Sequence, residues 1–561
     1  MHDLIIRNGI VIDGSGAERQ IADVAIDGGV ITAIGKVLTS GRREIDAKGL
    51  LVTPGFVDIH THYDGQATWD PWLAPSSLHG VTTAIFGNCG VGFAPVKPGM
   101  SKFLINLMEG VEDIPGTVLA EGVKFNWESF PEYMEALAAT PHVIDFGTQM
   151  PHSALRFYVM GERGAVHTEI PSEQEIARMG VLLEEALHAG ALGFSTSRTT
   201  KHRAKDGRPI PSLSASDPEL HGLALAMKRA GRGTIEVNSD FGPGEHETMR
   251  AAAQLAGRPL SCLLIQVGNE TELWRDTLTW IHDMRADGIV ATGQVSSRGI
   301  GIMMSLETTI HPFAAHSSWL ELNHLSPSER YARLQSDPEL RRRLVQLRPN
   351  NTETENMTRM LGHTFRLDGD LNYEPDANTN ISASAAALGR DVWDYALELL
   401  MRDNGKAMLM YPIENYWHGS LEAVREMLLD EATVMGVADS GAHVGMICDG
   451  SQPTFLLSYW GRDRPVGRLP LEFLVRKHTH DTAAAYGLTD RGVLAPGMKA
   501  DINVIDLDAL RLMLPEVVYD LPTGGKRIIQ KAKGYRHTFV SGVEILCDDK
   551  YTGAMPGHLV R

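Results

Sequence analysis

The sequence predicts an α/β fold: a TIM-type (β/α)8 barrel with a small composite β-sandwich domain from both termini and a helical insertion. Eight apolar, β-branched runs lie along the chain, most of them followed by a helical pattern of Ala, Leu, Glu and Arg. Both ends of the chain consist of short strands and turns, and a long interval before the last run contains helical patterns. At 561 residues the chain is longer than the size at which a single hydrophobic core stops growing, so we expect a large catalytic domain and at least one smaller unit.

The eight runs are the predicted parallel strands of the barrel. They begin at Leu51, Thr82, Val143, Ala191, Gly233, Ser261, Ile289 and Thr433. Eight βα units and roughly 250 residues are what a TIM barrel requires. We therefore expect residues 51–490 to form the barrel, and residues 1–50 and 491–561 to form the two parts of one β-sandwich. The alternative for the two termini is a pair of unrelated β flaps.

Two intervals are too long to be simple connections between strands. Residues 92–141 follow the second run, and residues 298–431 separate the seventh run from the eighth. Long excursions of this kind usually form lids. The second interval contains the helical patterns SPSERYARLQSDPELRRRLVQL and DVWDYALELLMRDNG, which predict a helical cap. A plain stabilising insertion is the alternative.

Composition and charge exclude several classes of protein. Lys and Arg number 52 against 70 Asp and Glu, which gives a net charge of -18 without any dense basic block, so no nucleic acid partner is expected. The four cysteines are too sparse for a disulfide framework, and no run of about 18 or more apolar residues is present. We therefore expect a cytoplasmic protein that is neither secreted nor inserted in a membrane. The oligomeric state is left open, with a homo-oligomer among the alternatives.

A His-x-His motif lies at the end of the first run. In PGFVDIHTH, His60 and His62 are two positions apart, and side chains at i and i+2 of a strand point to the same face. Both imidazoles therefore converge at the mouth of the barrel, as metal ligands would. With 22 histidines in the chain, about one His-x-His is expected by chance. His478 and His480 form a second pair in a helical pattern, where the side chains diverge, and we interpret that pair as structural.

Two further residues at strand ends have the chemistry of metal ligands. Asp439 ends the eighth run in VMGVADSGAH, where a carboxylate can bind a metal and accept a proton from the activated water. Capping of the next helix is its alternative role. Cys89 ends the second run in FGNCGVGFAP, where glycines allow close approach of the backbone, and thiolate is a good zinc ligand. A free cysteine is also often a small buried apolar residue.

Five segments resemble, in their order along the chain, the D-aminoacylase branch of the amidohydrolase superfamily. They are PGFVDIHTH, GNCGVGFAP, GALGFSTS, RGVLAPGMKADINVID and VSGVEILCDDKYTGAMPGHLVR. The match spans both ends of the chain and is thin from about Gly233 to Asp430. The resemblance implies a (β/α)8 barrel with a composite β-sandwich, and zinc held at the positions that match His60, His62, Cys89 and Asp439.

The resemblance also concerns the third and fourth strands. Many members of the superfamily carry a carboxylated lysine on the fourth strand, but GFSTS contains no lysine, in agreement with a cysteine-type site. The segment TQMPHSALRFYVMG resembles the third-strand segment of the family, which implies that His152 faces the substrate.

The fifth and sixth strands depart from the family pattern. Family deacylases carry further histidine ligands at the ends of these strands, followed by a lysine that helps to bind the substrate carboxylate. Here the segments read EVNSDF and LIQVGN, so Asn238 or Asp240, and Gln266, stand near the expected histidines. A neutral amide binds zinc poorly, so the sequence does not decide whether the site holds one or two zinc ions or another divalent metal. Arg298 is a candidate for holding a substrate carboxylate, with a structural role as the alternative.

These features together predict a zinc-dependent hydrolase that cleaves a carbon–nitrogen amide bond in a small molecule. The best candidate substrate is an N-acyl-D-amino acid or a related N-acyl amine. In this hypothesis Asp439 takes a proton from the attacking water and passes it to the departing amine. One alternative is a cyclic-amide, urea or carbamate hydrolase, because the same fold supports any attack on a carbonyl carbon; another is a catalytically inactive binding protein.

Overall fold

Parallel strands and their helices make up the centre of the chain. The computed structural model describes residues 1–268, 271–348, 351–369 and 371–561. In this part of the chain, each of the eight predicted runs overlaps a parallel strand. The strands are Phe56–Asp58, Val81–Phe86, Asp145–Thr148 continued by Met150–Pro151, Gly193–Arg198, Thr234–Ser239, Leu260–Leu263, Ala291–Val295 and Thr433–Met435. Each pairs in parallel with the next along the chain. Nearly all their residues are buried, as expected for parallel strands covered on both faces.

The first and eighth strands are joined just beyond their carboxyl ends. Thr61 and Ser440 form a parallel bridge, and the His62 N–H donates a hydrogen bond of 2.8 Å to the Ser440 carbonyl oxygen. The residues that follow these two strands are therefore neighbours, although they are far apart in the sequence.

Helices connect the parallel strands. The longest described helix, Glu173–Ala189, begins with a capping box in which Ser172 Oγ accepts a hydrogen bond from the Glu175 N–H, and it ends at Gly190 with a φ of 115°. The others are His152–Met160, Asp217–Ala230, Glu245–Ala256, Leu273–Ala286, Glu422–Leu429, Gln452–Phe455 with the π-helical segment Leu456–Asp463, Leu471–Lys477 and His480–Ala485. None of the described helices combines the length and the apolar character that a membrane crossing needs.

One nine-stranded sheet contains strands from both termini. Its N-terminal strands are His2–Val11, Gln20–Asp27, Val30–Gly35, Gly41–Asp46 and Leu51–Pro54, and its C-terminal strands are Ile502–Ile505, Tyr535–Val540, Val543–Cys547 and Lys550–Tyr551. Apolar side chains from both groups of strands, such as Val24, Val52, Ile502 and Phe539, form one buried cluster. Two short hairpins accompany the sheet, Arg511–Leu512 with Ala532–Lys533 and Glu516–Leu521 with Gly525–Ile529. Strands from the two termini therefore share one sheet.

The sheet of the termini reaches further into the chain than residue 50. Leu51–Pro54 pairs with His2–Val11 on one side and with Ile502–Ile505 on the other, so the first predicted run is divided between two sheets. The division falls at Gly55, where a β-carbon would collide with the side chain of Thr82 on the second parallel strand. A glycine is required here because the chain passes from one sheet to the other in contact with that strand.

Both long intervals are folded insertions. The first carries the helices Ser101–Glu112, Gly116–Gly122 and Phe130–Ala138. The second carries the helices Ser317–Leu320, Pro327–Ser336, Pro338–Gln346, Thr352–Leu361, Ile381–Ala387, Val392–Leu400 and Arg402–Gly405. It also carries an antiparallel sheet of Ile300–Met304, Phe365–Leu367 and Met408–Glu414 that the sequence patterns did not predict. Its own apolar cluster, including Met304, Trp319, Leu344, Trp393 and Leu400, holds these elements together.

Replacement of Gly55 by alanine is expected to destabilise the protein by about 1–3 kcal/mol, because the added methyl group overpacks the contact with buried Thr82. Gly242→Ala is the matched control, since a β-carbon there meets no atom within 4 Å and the backbone is not in the left-handed region. Denaturant unfolding of the two variants measures the difference. Equal stability of both variants would contradict the packing described for Gly55.

Candidate metal centre

Four side chains predicted as metal ligands meet at the carboxyl ends of the parallel strands. His60 and His62 follow the first strand, Cys89 follows the second and Asp439 follows the eighth. His60 Nε2 lies 3.5 Å from Cys89 Sγ and 3.3 Å from Asp439 Oδ1, and His62 Nε2 lies 3.7 Å from the same Asp439 oxygen. The donor atoms of His60, His62 and Cys89 all lie within 4.8 Å of one another. Three of the predicted ligands thus have the spacing for one cation, and Asp439 lies beside two of them.

The backbone at this cluster is held in an uncommon conformation. Cys89 has a φ of 54° and Asp439 a φ of 47°, both in the left-handed region that costs a residue other than glycine about 1–3 kcal/mol. Next to Cys89, Gly90 also has a positive φ, and a β-carbon there would press against the backbone of the fourth strand at Thr196 and Ser197. The surrounding structure therefore holds the thiol and the carboxylate in place against their local preference.

Buried partners fix the orientation of His60. Its Nδ1 lies 2.7 Å from Gln294 Oε1, while Gln294 Nε2 donates a hydrogen bond of 2.9 Å to Ser261 Oγ. Because the amide nitrogen is occupied by the serine, the amide oxygen faces the imidazole, so Nδ1 carries the proton and Nε2 keeps a free lone pair. Burial lowers the pKa of His60 to about 4, so the ring is neutral, as a metal ligand must be.

His62 faces a carboxylate from the first insertion. Its Nδ1 lies 3.4 Å from Oε1 of Glu112, the last residue of the helix Ser101–Glu112. Oε2 of the same carboxylate lies 3.7 Å from Nε2 of His443, four residues after Asp439. Burial lowers the pKa of His62, but the charges of Glu112 and Asp439 outweigh it and raise the pKa to about 9. In the absence of a cation these carboxylates therefore keep His62 protonated, and its Nε2, like that of His60, faces Asp439.

Acidic groups outnumber basic ones in this cluster. None of its five carboxyl groups has a Lys or Arg nitrogen within 4.0 Å among the residues that the structure describes: Asp58, Asp64, Glu112, Glu236 and Asp439. Burial raises the pKa of Asp58 and of Asp64 to about 7, that of Glu236 to about 8, and that of the Cys89 thiol above its ordinary value. The pKa of Asp439 lies below its ordinary value because His62 and His60 outweigh burial.

A divalent cation fits this donor set and this charge. Buried groups of one sign ionise together only when a compensating charge is present, and a bound ion is the usual source of it. Two imidazoles, one thiolate and one carboxylate are ligands that zinc accepts. A second His, Glu and Cys group, of His537, Glu544 and Cys547, differs because Arg43 lies 2.8 Å from Glu544 and already supplies a positive charge.

A cavity of about 870 Å³ adjoins the cluster at Asn238. Its walls come from the ends of the fourth, fifth and sixth parallel strands and from the strand Met408–Glu414 of the second insertion. Much of the lining is apolar, including Phe241, Leu264, Trp274, Ile413 and Trp417. Lys201 and Glu414 form an ion pair of 2.7 Å on this wall. The second insertion therefore covers a cavity large enough for a small molecule.

Comparison with known proteins assigns the family. The sequence profile described as the amidohydrolase family matches residues 43–545. The chain belongs to the amidohydrolase family. A D-aminoacylase of Alcaligenes xylosoxydans xylosoxydans is 26% identical over 569 residues, which cover 100% of this chain and 97% of that protein. The resemblance to the D-aminoacylase branch predicted from the motifs is thereby confirmed.

Two further comparisons place this amidohydrolase among its relatives. An uncharacterized protein of Mycobacterium tuberculosis is 35% identical over 242 residues, which cover 41% of this chain and only 39% of that protein. The solved structure of an N-acyl-D-glutamate deacylase from Bordetella bronchiseptica, complexed with zinc and a phosphonate inhibitor, matches with a TM-score of 0.63 at 23% identity and covers 100% of this chain and 99% of that chain. The structural match establishes a shared fold.

Asn238 lies beside the predicted ligands of this amidohydrolase. Its Nδ2 is 3.5 Å from Cys89 Sγ and 3.4 Å from His202 Nε2. The amide therefore donates toward the sulfur from the position at which the family pattern predicts a histidine. Asp240, the other candidate at the fifth strand, instead accepts hydrogen bonds from Thr199 and Thr200. His202 was not predicted, because it lies in a loop after the fourth strand with no motif around it.

The remaining predicted substrate-binding residues are engaged by protein groups. His152 is fully buried, with Nδ1 2.9 Å from Thr196 Oγ1 and Nε2 3.0 Å from Glu219 Oε1. Arg298 is also fully buried and pairs with Asp449 at 2.9 Å. The Gln266 N–H donates to Asn415 Oδ1 at 2.8 Å, and its side-chain Oε1 lies 3.4 Å from the Trp417 nitrogen. The structure therefore brings Asn238 to the cluster but not these three.

The second His-x-His pair is separate from the cluster, as expected. His478 stacks on Phe56 with ring centroids 5.2 Å apart, and His480 pairs with Asp481 at 2.8 Å. Four buried acids of the cluster were not predicted: Asp58, Asp64, Glu112 and Glu236. Glu236 lies on the fifth strand, where its Oε2 accepts a hydrogen bond of 2.8 Å from the Cys89 N–H. Glu236 could have been predicted, because a glutamate inside the apolar run GTIEVNS is unusual, whereas no sequence pattern marks Glu112.

Cys89→Ala is expected to weaken zinc binding by at least about tenfold, the smallest loss typical of removing even a residue that supports a ligand. The cobalt-substituted protein should also lose the near-ultraviolet charge-transfer band that a thiolate ligand produces. Cys262→Ala is the control, because Cys262 is equally buried but lies within the sixth strand. A cobalt spectrum unchanged by Cys89→Ala would rule out the thiolate ligand.

Proposed function

We propose that this amidohydrolase is a metal-dependent enzyme that cleaves the carbon–nitrogen amide bond of a small N-acyl amine. The D-aminoacylase relative supports N-acyl-D-amino acids as the substrate class. The observation that carries the proposal is the convergence of His60 and His62 on one oxygen of Asp439, at 3.3 and 3.7 Å, beside the Cys89 thiol. A set of ligands drawn from three separate strand ends is typical of a catalytic metal site at this edge of a barrel.

His60, His62, Cys89 and Asp439 would hold the metal ion. Zinc bound there supplies Lewis-acid chemistry, which lowers the pKa of a water and polarises a carbonyl oxygen. The zinc in the Bordetella bronchiseptica deacylase supports this choice of metal. Asn238 and Gln266, which replace the expected imidazoles, favour a single ion, because neutral amides are weak zinc ligands.

Asp439 is the residue that would move the proton. Its side chain is 19% exposed, more than those of His60 and His62, so one edge of the carboxylate is open to a substrate. The neighbouring imidazoles hold its pKa below the ordinary value and keep it ionised as a base. It would take a proton from the attacking water and donate it to the departing amine nitrogen.

The cavity beside Asn238 would receive the substrate. Its apolar wall suits an acyl chain or an apolar side chain, and Lys201 is the cation among its described lining residues. We assign the substrate carboxylate to Lys201, which lies 2.7 Å from Glu414 and stands in for the lysine absent from the sixth strand. Arg298 and His152 then have structural roles, since each is fully buried and paired inside the protein, whereas the Lys201 side chain is half-exposed.

The eight parallel strands are proposed to close into a (β/α)8 barrel. The bridge between Thr61 and Ser440 and the TM-score of 0.63 with the Bordetella bronchiseptica deacylase support the closure. The four cysteines are free, which supports the predicted cytoplasmic location. That location and the oligomeric state stay predictions.

The proposal is tested by metal analysis and a substrate panel. Purified protein is expected to contain about one zinc per chain and to hydrolyse at least one N-acyl-D-amino acid, in a panel of both enantiomers with hydantoins and carbamates. His60→Ala should lose the metal, and Asp439→Asn should lower kcat by about 10²–10⁴-fold, the range for loss of a positioned acid–base group.

His480→Ala is the matched control for His60→Ala, because it removes an imidazole of the other His-x-His pair and should change neither metal content nor kcat. Cleavage of a hydantoin or carbamate with every N-acyl-D-amino acid intact would move the enzyme to another subclass of hydrolase. If the purified protein contains no metal, and neither His60→Ala nor Asp439→Asn changes its measured properties, hydrolysis is refuted and a binding protein is supported.

A further inference from the structure

We infer that Glu112 of the first insertion is a positioning residue of the metal centre, which fixes the ring of His62 and thereby couples docking of the insertion to metal affinity. The inference rests on the metal site of the proposed function. It gives the interval of residues 92–141 a role beyond that of a lid.

The sequence of the helix places the carboxylate in the interior. Leu104, Met108 and Glu112 follow one another at intervals of four residues, so they lie on the same face of the helix Ser101–Glu112. That face is buried, and the Glu112 side chain is only 2% exposed. Asp113, with a φ of 49°, ends the helix at this point. The apolar stripe that docks the insertion thus terminates in a buried acid.

The two oxygens of this carboxylate face two imidazoles. Oε1 lies 3.4 Å from His62 Nδ1 and Oε2 lies 3.7 Å from His443 Nε2. Oε1 has no hydrogen bond to any described residue, and no Lys or Arg nitrogen of the described chain lies within 4.0 Å of either oxygen. The His443 N–H also donates to the Glu112 carbonyl oxygen. Main chain and side chain of Glu112 therefore both contact the loop that carries Asp439.

This arrangement determines which nitrogen of His62 can bind a metal. The charge of a carboxylate 3.4 Å from Nδ1 favours the proton on that atom, which leaves the lone pair of Nε2 for a metal. Nε2 is the atom that faces Asp439. Gln294, on the seventh parallel strand, orients His60 through a hydrogen bond of 2.7 Å, whereas Glu112 is brought by the insertion and acts on His62 through its charge. Both proposed histidine ligands are therefore oriented for the metal only when the first insertion is docked.

Glu112→Gln is the variant that tests the inference, because it keeps the shape of the side chain and removes its charge. Zinc affinity, measured by chelator competition, is expected to fall by about 10–100-fold, and the visible spectrum of the cobalt form to change. The unfolding midpoint of the metal-free variant should not fall, since a neutral amide is easier to bury than a carboxylate. Glu109→Gln, one turn earlier on the helix and paired with Lys205, is the control and should alter none of these.

Two results would overturn the inference. One is a Glu112→Gln protein with wild-type zinc affinity and cobalt spectrum. The other is weaker zinc binding accompanied by an equally large loss of stability in the metal-free state, which would indicate a purely structural residue. Wild-type protein that binds no zinc would overturn the proposed metal site along with the inference, whereas normal wild-type binding with an unaffected variant overturns the inference alone.

A measurement on the wild-type protein covers the case in which Glu112→Gln does not fold. Coupling between two sites is reciprocal, so zinc should stabilise the docked helix as much as the docked helix improves zinc binding. Backbone hydrogen exchange in residues 101–113 is therefore expected to slow when zinc is added to metal-free protein. Exchange in this segment that is unchanged by zinc would contradict the coupling.

Discussion

A concentration of buried acidic groups at the carboxyl ends of the parallel strands is the constraint on which the rest of the structure depends. Five carboxyl groups and a thiol lie together there, with imidazoles and amides as their polar neighbours and no Lys or Arg in contact among the described residues. Burying unpaired charge is costly. A bound cation removes that cost, so metal binding and the stability of this edge are thermodynamically linked.

The scaffold holds the proposed ligands with several separate parts of the chain. Strand ends deliver His60, Cys89 and Asp439, and the left-handed backbone at the last two is maintained by close packing around them. A strand residue, Gln294, orients one imidazole, and an inserted helix orients the other through Glu112. The site therefore combines the rigid framework of the sheet with one support that belongs to a peripheral segment.

Most of the framework could be predicted from the sequence because its signals are local. The eight strands appear as apolar runs, and the proposed ligands His60, His62, Cys89 and Asp439 were identified by their positions at the ends of those runs. The division of the first run at Gly55 could not be predicted, since LVTPGFVDIH has the pattern of one continuous strand although its two halves join different sheets.

Long-range pairing accounts for what the sequence did not reveal. Ile300–Met304 pairs with Met408–Glu414 across more than a hundred residues, and no local pattern specifies such a partner. Glu112 ends an ordinary amphipathic helix, so its position next to His62 depends on how that helix docks. The internal partners of His152 and Arg298 lie 67 and 151 residues away, which is why both looked available for a substrate.

The sheet built from both termini has a consequence for the order in which the chain folds during synthesis. Leu51–Pro54 needs Ile502–Ile505 as its neighbour, so one edge of the N-terminal strands has no such partner until the residues between these two strands have been synthesised. An unpaired edge invites association with other chains. The nascent chain therefore carries an open strand edge throughout translation of the parallel strands and both insertions.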